Sequence, residues 1–145
     1  MELENMVVKE GGQLLYRGMR PDRAAANCPA KGDTGAYLGA RRVTDIEVHP
    51  GDTVRPRTGG MSMVVDDLKK LPSHRRPESL GGEADDHSLY VYCIDESEVP
   101  ECLDIRQDRP RNAPFHRVME PARECSFTEY LANLHATQPL WRLVG

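Results

Sequence analysis

The sequence predicts an α+β domain of short strands with few helices, and three observations carry that prediction. Glycine and proline, 12 and 11 of 145 residues, punctuate the chain too often for long helices. The apolar runs between them are brief and rich in β-branched or aromatic residues, as strands are. One late segment, opening Ser126-Phe127-Thr128-Glu129, has both a helix start signal and a helical apolar period. The turn content disfavours a helical bundle and a coiled coil. A length of 145 residues fits one compact domain. Leu, Ile, Val and Phe supply only 29 of the 145 residues, a sparse core that borders on disordered composition. The net charge of −4, from 19 basic and 23 acidic residues, is small and well mixed, which argues against a charge-driven disordered chain.

Residues 1–12 are polar and end in Gly11-Gly12, so they form a tail or a first short strand, and 13–145 form a single domain. Gln13 to Gly18 reads as a strand stopped by Gly18 and Pro21. Between 22 and 42, Pro29, Gly32, Gly35 and Gly39 leave room for one short helix at most, around Asp22 to Asn27. Asp45 to His49 and Thr53 to Arg55 are short strand candidates. Arg57 to Val65 is a glycine turn running into an apolar stretch, and Asp66 to Leu71 suits one or two helical turns. Residues 72–88 have no apolar period and form an exposed loop. Ser88 to Asp95 is the strongest strand, Leu103 to Arg106 alternates with period two, and Phe115 to Met119 is a further strand. In the last helix Ser126 and Glu129 form a capping box, and Phe127, Tyr130, Leu131 and Leu134 share one face. Pro139 ends it, with Trp141 and Leu143 packing back on the core.

The charge balance disfavours a generic nucleic-acid binder: the dense basic spots, Arg41-Arg42 and His74-Arg75-Arg76, have acidic residues close by. The longest apolar run, Leu89 to Ile94, is far short of a membrane span. The N-terminus lacks the basic region and apolar run of a secretory signal, which predicts a cytoplasmic protein at synthesis, or one exported by a machine that needs no signal peptide. Cys28, Cys93, Cys102 and Cys125 are scattered and read as free thiols. The histidines have no metal-ligand spacing, and the chain has no phosphate-binding loop or nucleophile elbow.

Five features carry candidate chemistry. Arg17 sits in an apolar strand, where a planar cation suits a phosphate or carboxylate, or else reaches solvent from an edge strand. Gly59-Gly60-Met61-Ser62 lets backbone approach a ligand with Ser62 beside it, or is an ordinary turn. Glu96 and Glu98 offer a pair of carboxylates, or a solvated acidic loop, and Gln107-Asp108 is a similar case. His116, on a short apolar strand, is a general base if it has a partner, and otherwise structural. A small hydrolase using His116 and Asp108 would still need a nucleophile beside them.

In order and approximate spacing, several of these pieces resemble one family. They are Leu15-Tyr16-Arg17, Thr58-Gly59-Gly60-Met61-Ser62, Val99-Pro100-x-x-Leu103 leading to Gln107-Asp108, and His116-x-x-x-x-Pro121-Ala122 before the last helix. Together, from about residue 14 to Trp141, they resemble the type VI secretion effector 2 toxins, whose fold is similar to NAD-dependent ADP-ribosyltransferase toxins. The resemblance implies an ADP-ribosyltransferase-like split sheet of short strands, with few helices and a C-terminal amphipathic helix. It implies NAD as substrate, a macromolecular acceptor, and a cognate immunity protein or antitoxin. Arg17 matches the arginine that grips the ribose or phosphates, Ser62 the serine that shapes the nicotinamide pocket, and Gly60 and His116 lie in matching motifs. Tyr16 or Tyr37 would supply a stacking surface. Glu96-Ser97-Glu98 has the Glu-x-Glu form of such transferases, with Glu98 stabilising developing positive charge and Glu96 orienting the acceptor. Met61 stands where the toxins have Thr, which favours the alternative of a catalytically silent binding module on the same fold.

Overall fold

The computed structural model describes residues 13–83 and 89–145, and the predicted N-terminal tail lies outside them. The chain is mixed α+β. Its strands are β1 (Leu14–Met19), β2 (Thr53–Val54), β3 (Met61–Val65), β4 (Tyr90–Asp95), β5 (Leu103–Arg106), β6 (His116–Pro121), β7 (Cys125–Ser126) and β8 (Arg142–Leu143), and its α-helix is α1 (Phe127–His135). Six strands form one antiparallel sheet in the order β5-β6-β3-β1-β4-β8, and β2 pairs with β7 apart from it.

The register divides this sheet. β1 pairs with β4 along its whole length, from Leu14 opposite Asp95 to Met19 opposite Tyr90. β3 pairs with β6 from Met61 opposite Met119 to Val64 opposite His116. Between β1 and β3, only Leu15 faces Val65 and Tyr16 faces Val64 before the strands part. The sheet is therefore two ribbons, β8-β4-β1 and β3-β6-β5, joined at one end and open at the other.

Side-chain alternation gives each face its own packing. Leu15, Met19, Met61, Met63, Ile94 and Met119 enter the main core under Phe127, Tyr130 and Leu134 of α1. Tyr16, Val64, Val91 and Leu71 form a smaller cluster on the other side. Ser126 caps α1, its side chain accepting from Glu129 N at 3.0 Å. Tyr130 crosses the core: its hydroxyl donates to the Met119 carbonyl at 2.5 Å and accepts from Met61 N at 3.1 Å, which ties β3 and β6 to the helix.

Four expectations need correction. Asp22 to Asn27 forms no helix; the Asp22 carboxylate accepts from Ala24 N and Ala25 N and holds a turn instead. Asp45 to His49 forms isolated bridges, at Ile46 and His49, and no strand. The described part of the expected loop, 72–83, contains 3-10 turns at Ser73–Arg75 and Glu78–Leu80; Arg75 and Arg76 are half-buried there, and 84–88 lie outside the described residues. Trp141 is buried as expected, but Leu143 stays exposed at the outer edge of β8. No described helix is long and apolar enough to cross a membrane.

Candidate functional site

Where β1 and β3 part, a cavity of about 250 Å³ opens. Arg17, Gly18, Ser62, Val64 and His116 line it from the sheet. Leu71, Pro72 and Arg75 close it from the first turns after β3, and Gly35, Arg41, Asp45 and Arg109 come from loops. Four guanidiniums face one carboxylate among these residues, so the cavity is cationic.

Arg17 bridges the parted strands. It lies between Leu15 and Met19 on β1, is only 8% exposed, and sits in the middle of the sheet, so it is not an edge residue reaching solvent. Its Nη1 donates to the Ser62 carbonyl at 2.7 Å, the position a neighbouring strand's amide would serve had the pairing continued. Its Nη2 donates to the Tyr37 carbonyl at 2.9 Å and to Gly35 at 3.3 Å. Among the described residues Arg17 makes no ion pair. Burial, and then the nearby Arg75 charge, push its pKa down to about 10, so it stays charged at neutral pH.

Arg75 stacks its own backbone on the sheet. Its carbonyl lies over Gly18, where a Cβ would come within 2.3 Å of that oxygen, so only glycine fits. Its Nη1 donates to Gly35 at 2.7 Å. Arg41 is held in a fork by Asp45, with Nε and Nη2 each 3.0 Å from a carboxylate oxygen. Gly59 and Gly60 serve this wall of the site. Gly59, at φ +120°, would bring a Cβ within 2.2 Å of the Asp45 carbonyl. Gly60 would bring one within 2.6 Å of the Met119 carbonyl. The close approach these glycines permit is thus to the chain's own backbone, and Gly60 does not line the cavity.

On the third side, His116 opens β6 and its Nδ1 is 2.6 Å from Asp108 Oδ1; the two side chains are 13% and 17% exposed. Asp108 is fixed by the loop between β5 and β6, which closes on itself. Gln107 Nε2 and Arg117 Nη1 both donate to the Pro114 carbonyl at 2.7 Å, and Ala113 N donates to Arg109 O at 2.9 Å. Arg109 Nε stands 3.7 Å from Asp108.

The structure brings together Arg17, Ser62 and His116, but not the other expected residues. Glu96 and Glu98 form a 3-10 turn beyond Asp95, at the end of the sheet where β1 and β3 are joined. Asp95 faces Leu14, three residues or roughly 10 Å along β1 from Arg17. Glu98 binds Arg142 of β8 at 3.2 Å, and neither glutamate lines the cavity. Burial raises the Glu96 pKa, with Arg117 opposing and Asp95 adding to the shift. Tyr16 packs in the smaller apolar cluster, and the Tyr37 ring lies under Arg20 at 6.0 Å, so neither offers a stacking face inside the cavity. Sequence reasoning missed Arg41, Asp45, Arg75 and Arg109. The signal was present in the two basic spots, read as neutralised by their sequence neighbours, but Arg75 has no such partner in space among the described residues. No protein-family model matches the chain, nor does any curated protein or solved structure.

Proposed function

We propose that this protein is an ADP-ribosyltransferase-like toxin or effector that binds NAD between the two ribbons and acts on an intracellular macromolecule. The observation that carries the reading is the meeting of Arg17, Ser62 and His116, from β1, β3 and β6, around one cationic cavity where the sheet splits. Residues named by the family resemblance from three distant stretches thus line one cavity. Guanidinium forks match the oxygens of a pyrophosphate. Arg75 spends Nη1 on Gly35, and its remaining donors make no hydrogen bond among the described residues. At about 250 Å³ the cavity is smaller than the ~300–1,000 Å³ of a pocket that encloses a whole drug-sized ligand. It suits one end of the dinucleotide, with the remainder lying over the rim.

The silent binding module has one observation in its favour. Glu98, the carboxylate expected to stabilise positive charge at the ribose, is paired with Arg142 away from the cavity. Calorimetric titration with NAD, run beside an assay for free nicotinamide, separates the readings. NAD binding at one site, weakened at least tenfold by Arg75→Ala, is the expected result. Nicotinamide release with ADP-ribose appearing on a macromolecule then supports the transferase, and binding without release supports the module. A protein that binds no NAD removes both.

A further inference from the structure

We propose that His116, positioned by Asp108, is the catalytic base of this cavity, and that it activates water as a second acceptor, so that the protein hydrolyses NAD besides transferring ADP-ribose to a macromolecule. This rests on NAD being the ligand, and it goes beyond that reading by assigning both an acceptor and the residues that prepare it. Two nitrogens of His116 have different fates. Nδ1 is committed to Asp108 at 2.6 Å, so in the neutral ring it carries the proton and donates it to the carboxylate. Nε2 has no hydrogen-bond partner among the described residues, and His116 is one of the residues that line the cavity, which leaves a lone pair for a proton from a ligand-side hydroxyl.

Ser62 stands on the same side. Val64 faces His116 directly, and Ser62 is two residues from Val64, so the serine and the histidine are diagonal neighbours on one face of the sheet. Such neighbours lie roughly 7–8 Å apart at Cα, a gap that one water molecule bridges between a hydroxyl and an imidazole. Ser62 Oγ makes no hydrogen bond among the described residues and is available to hold that water. Asp108 never touches the substrate. It is a positioning residue, set by the closed loop of Gln107, Ala113 and Pro114, and it stabilises the imidazolium that forms.

The step balances without an added oxidant or reductant. The bond from ribose C1′ to the nicotinamide nitrogen breaks, and both its electrons stay on that nitrogen, neutralising the pyridinium charge. A C1′–O bond forms from the water, whose proton passes to His116 Nε2 and then to solvent. The products are nicotinamide, ADP-ribose and one proton.

The test measures NAD binding by calorimetry and nicotinamide release by chromatography, on the whole protein with no acceptor but water. The wild type is expected to release nicotinamide and ADP-ribose in equal amounts. His116→Gln should bind NAD within threefold and lose at least 100-fold in kcat. Asp108→Asn should lower kcat with KM unchanged, and imidazole should restore part of the activity of His116→Ala. A wild type that binds NAD without releasing nicotinamide overturns this proposal and leaves NAD binding standing, as does a His116→Gln variant with full activity. Loss of binding in both His116→Gln and Asp108→Asn makes the pair structural and also overturns it. Absence of NAD binding in the wild type overturns this inference together with the functional reading beneath it.

Discussion

Arg17 shows how far one residue can be read before its partners are known. An arginine between Leu15 and Met19 on a strand that otherwise alternates into the core is conspicuous in the sequence, because burying a guanidinium is costly without partners. Its actual partners are carbonyls at Ser62, Tyr37 and Gly35, which lie 18 to 45 residues away and leave no local trace. Each is a backbone acceptor with no residue-type signature, so the chain advertises the donor and conceals the acceptors. Replacing Arg17 by Met removes the bridge across the split and strands several buried carbonyls. A loss of about 3 kcal/mol in urea denaturation is expected, since each unsatisfied buried polar group costs ~1–3 kcal/mol. A variant as stable as the wild type would mean that these carbonyls find water once the side chain is gone.

Elements were legible in proportion to how local their causes are. The helix from Phe127 follows from its own capping serine and its own apolar spacing, and the structure reproduces it. The strand at Tyr90–Asp95 likewise declares itself by composition. Asp45 to His49 did not become a strand because a ladder needs a partner: Ile46 bridges only briefly to Gly59 and Arg42, and Asp45 is turned to hold Arg41. Tyr130 links helix to strands through its hydroxyl, an interaction no periodicity contains. Tyr130→Phe leaves the Met61 amide and the Met119 carbonyl short of a partner, and a cost of about 2 kcal/mol is expected from thermal or urea unfolding. The same variant changes the alkaline limb. Burial raises the Tyr130 pKa above its ordinary value, so above about pH 10 the unfolded chain ionises first and folded stability falls. The Phe variant lacks that share of the fall, and its stability relative to wild type improves as pH rises.

At the scale of the molecule, the site is a product of sheet topology. Short strands and few helices were evident from glycine and proline content, yet the order β5-β6-β3-β1-β4-β8 was not, because register is decided by pairings between segments far apart in the chain. The cationic cavity follows from that order, since it assembles Arg17, Arg41, Arg75 and Arg109 from four segments. Guanidiniums held together repel, and a bound anion relieves them. Pyrophosphate should therefore raise the melting temperature more than chloride at equal ionic strength. Saturation to 100 times Kd contributes about 2.7 kcal/mol, several degrees for a chain of this size. Equal shifts from the two salts would mean simple screening and no anion site.

The two ribbons are also interleaved along the chain, because β1, β4 and β8 belong to one and β3, β5 and β6 to the other. Neither is a contiguous stretch that could be expressed by itself. During synthesis, Arg17 and Ser62 emerge long before His116 at the start of β6, so a ribosome-bound chain lacks one wall of the cleft until β6 has been made. Chemistry that needs all three walls is thereby withheld from every nascent or C-terminally clipped product, without any separate device to silence it.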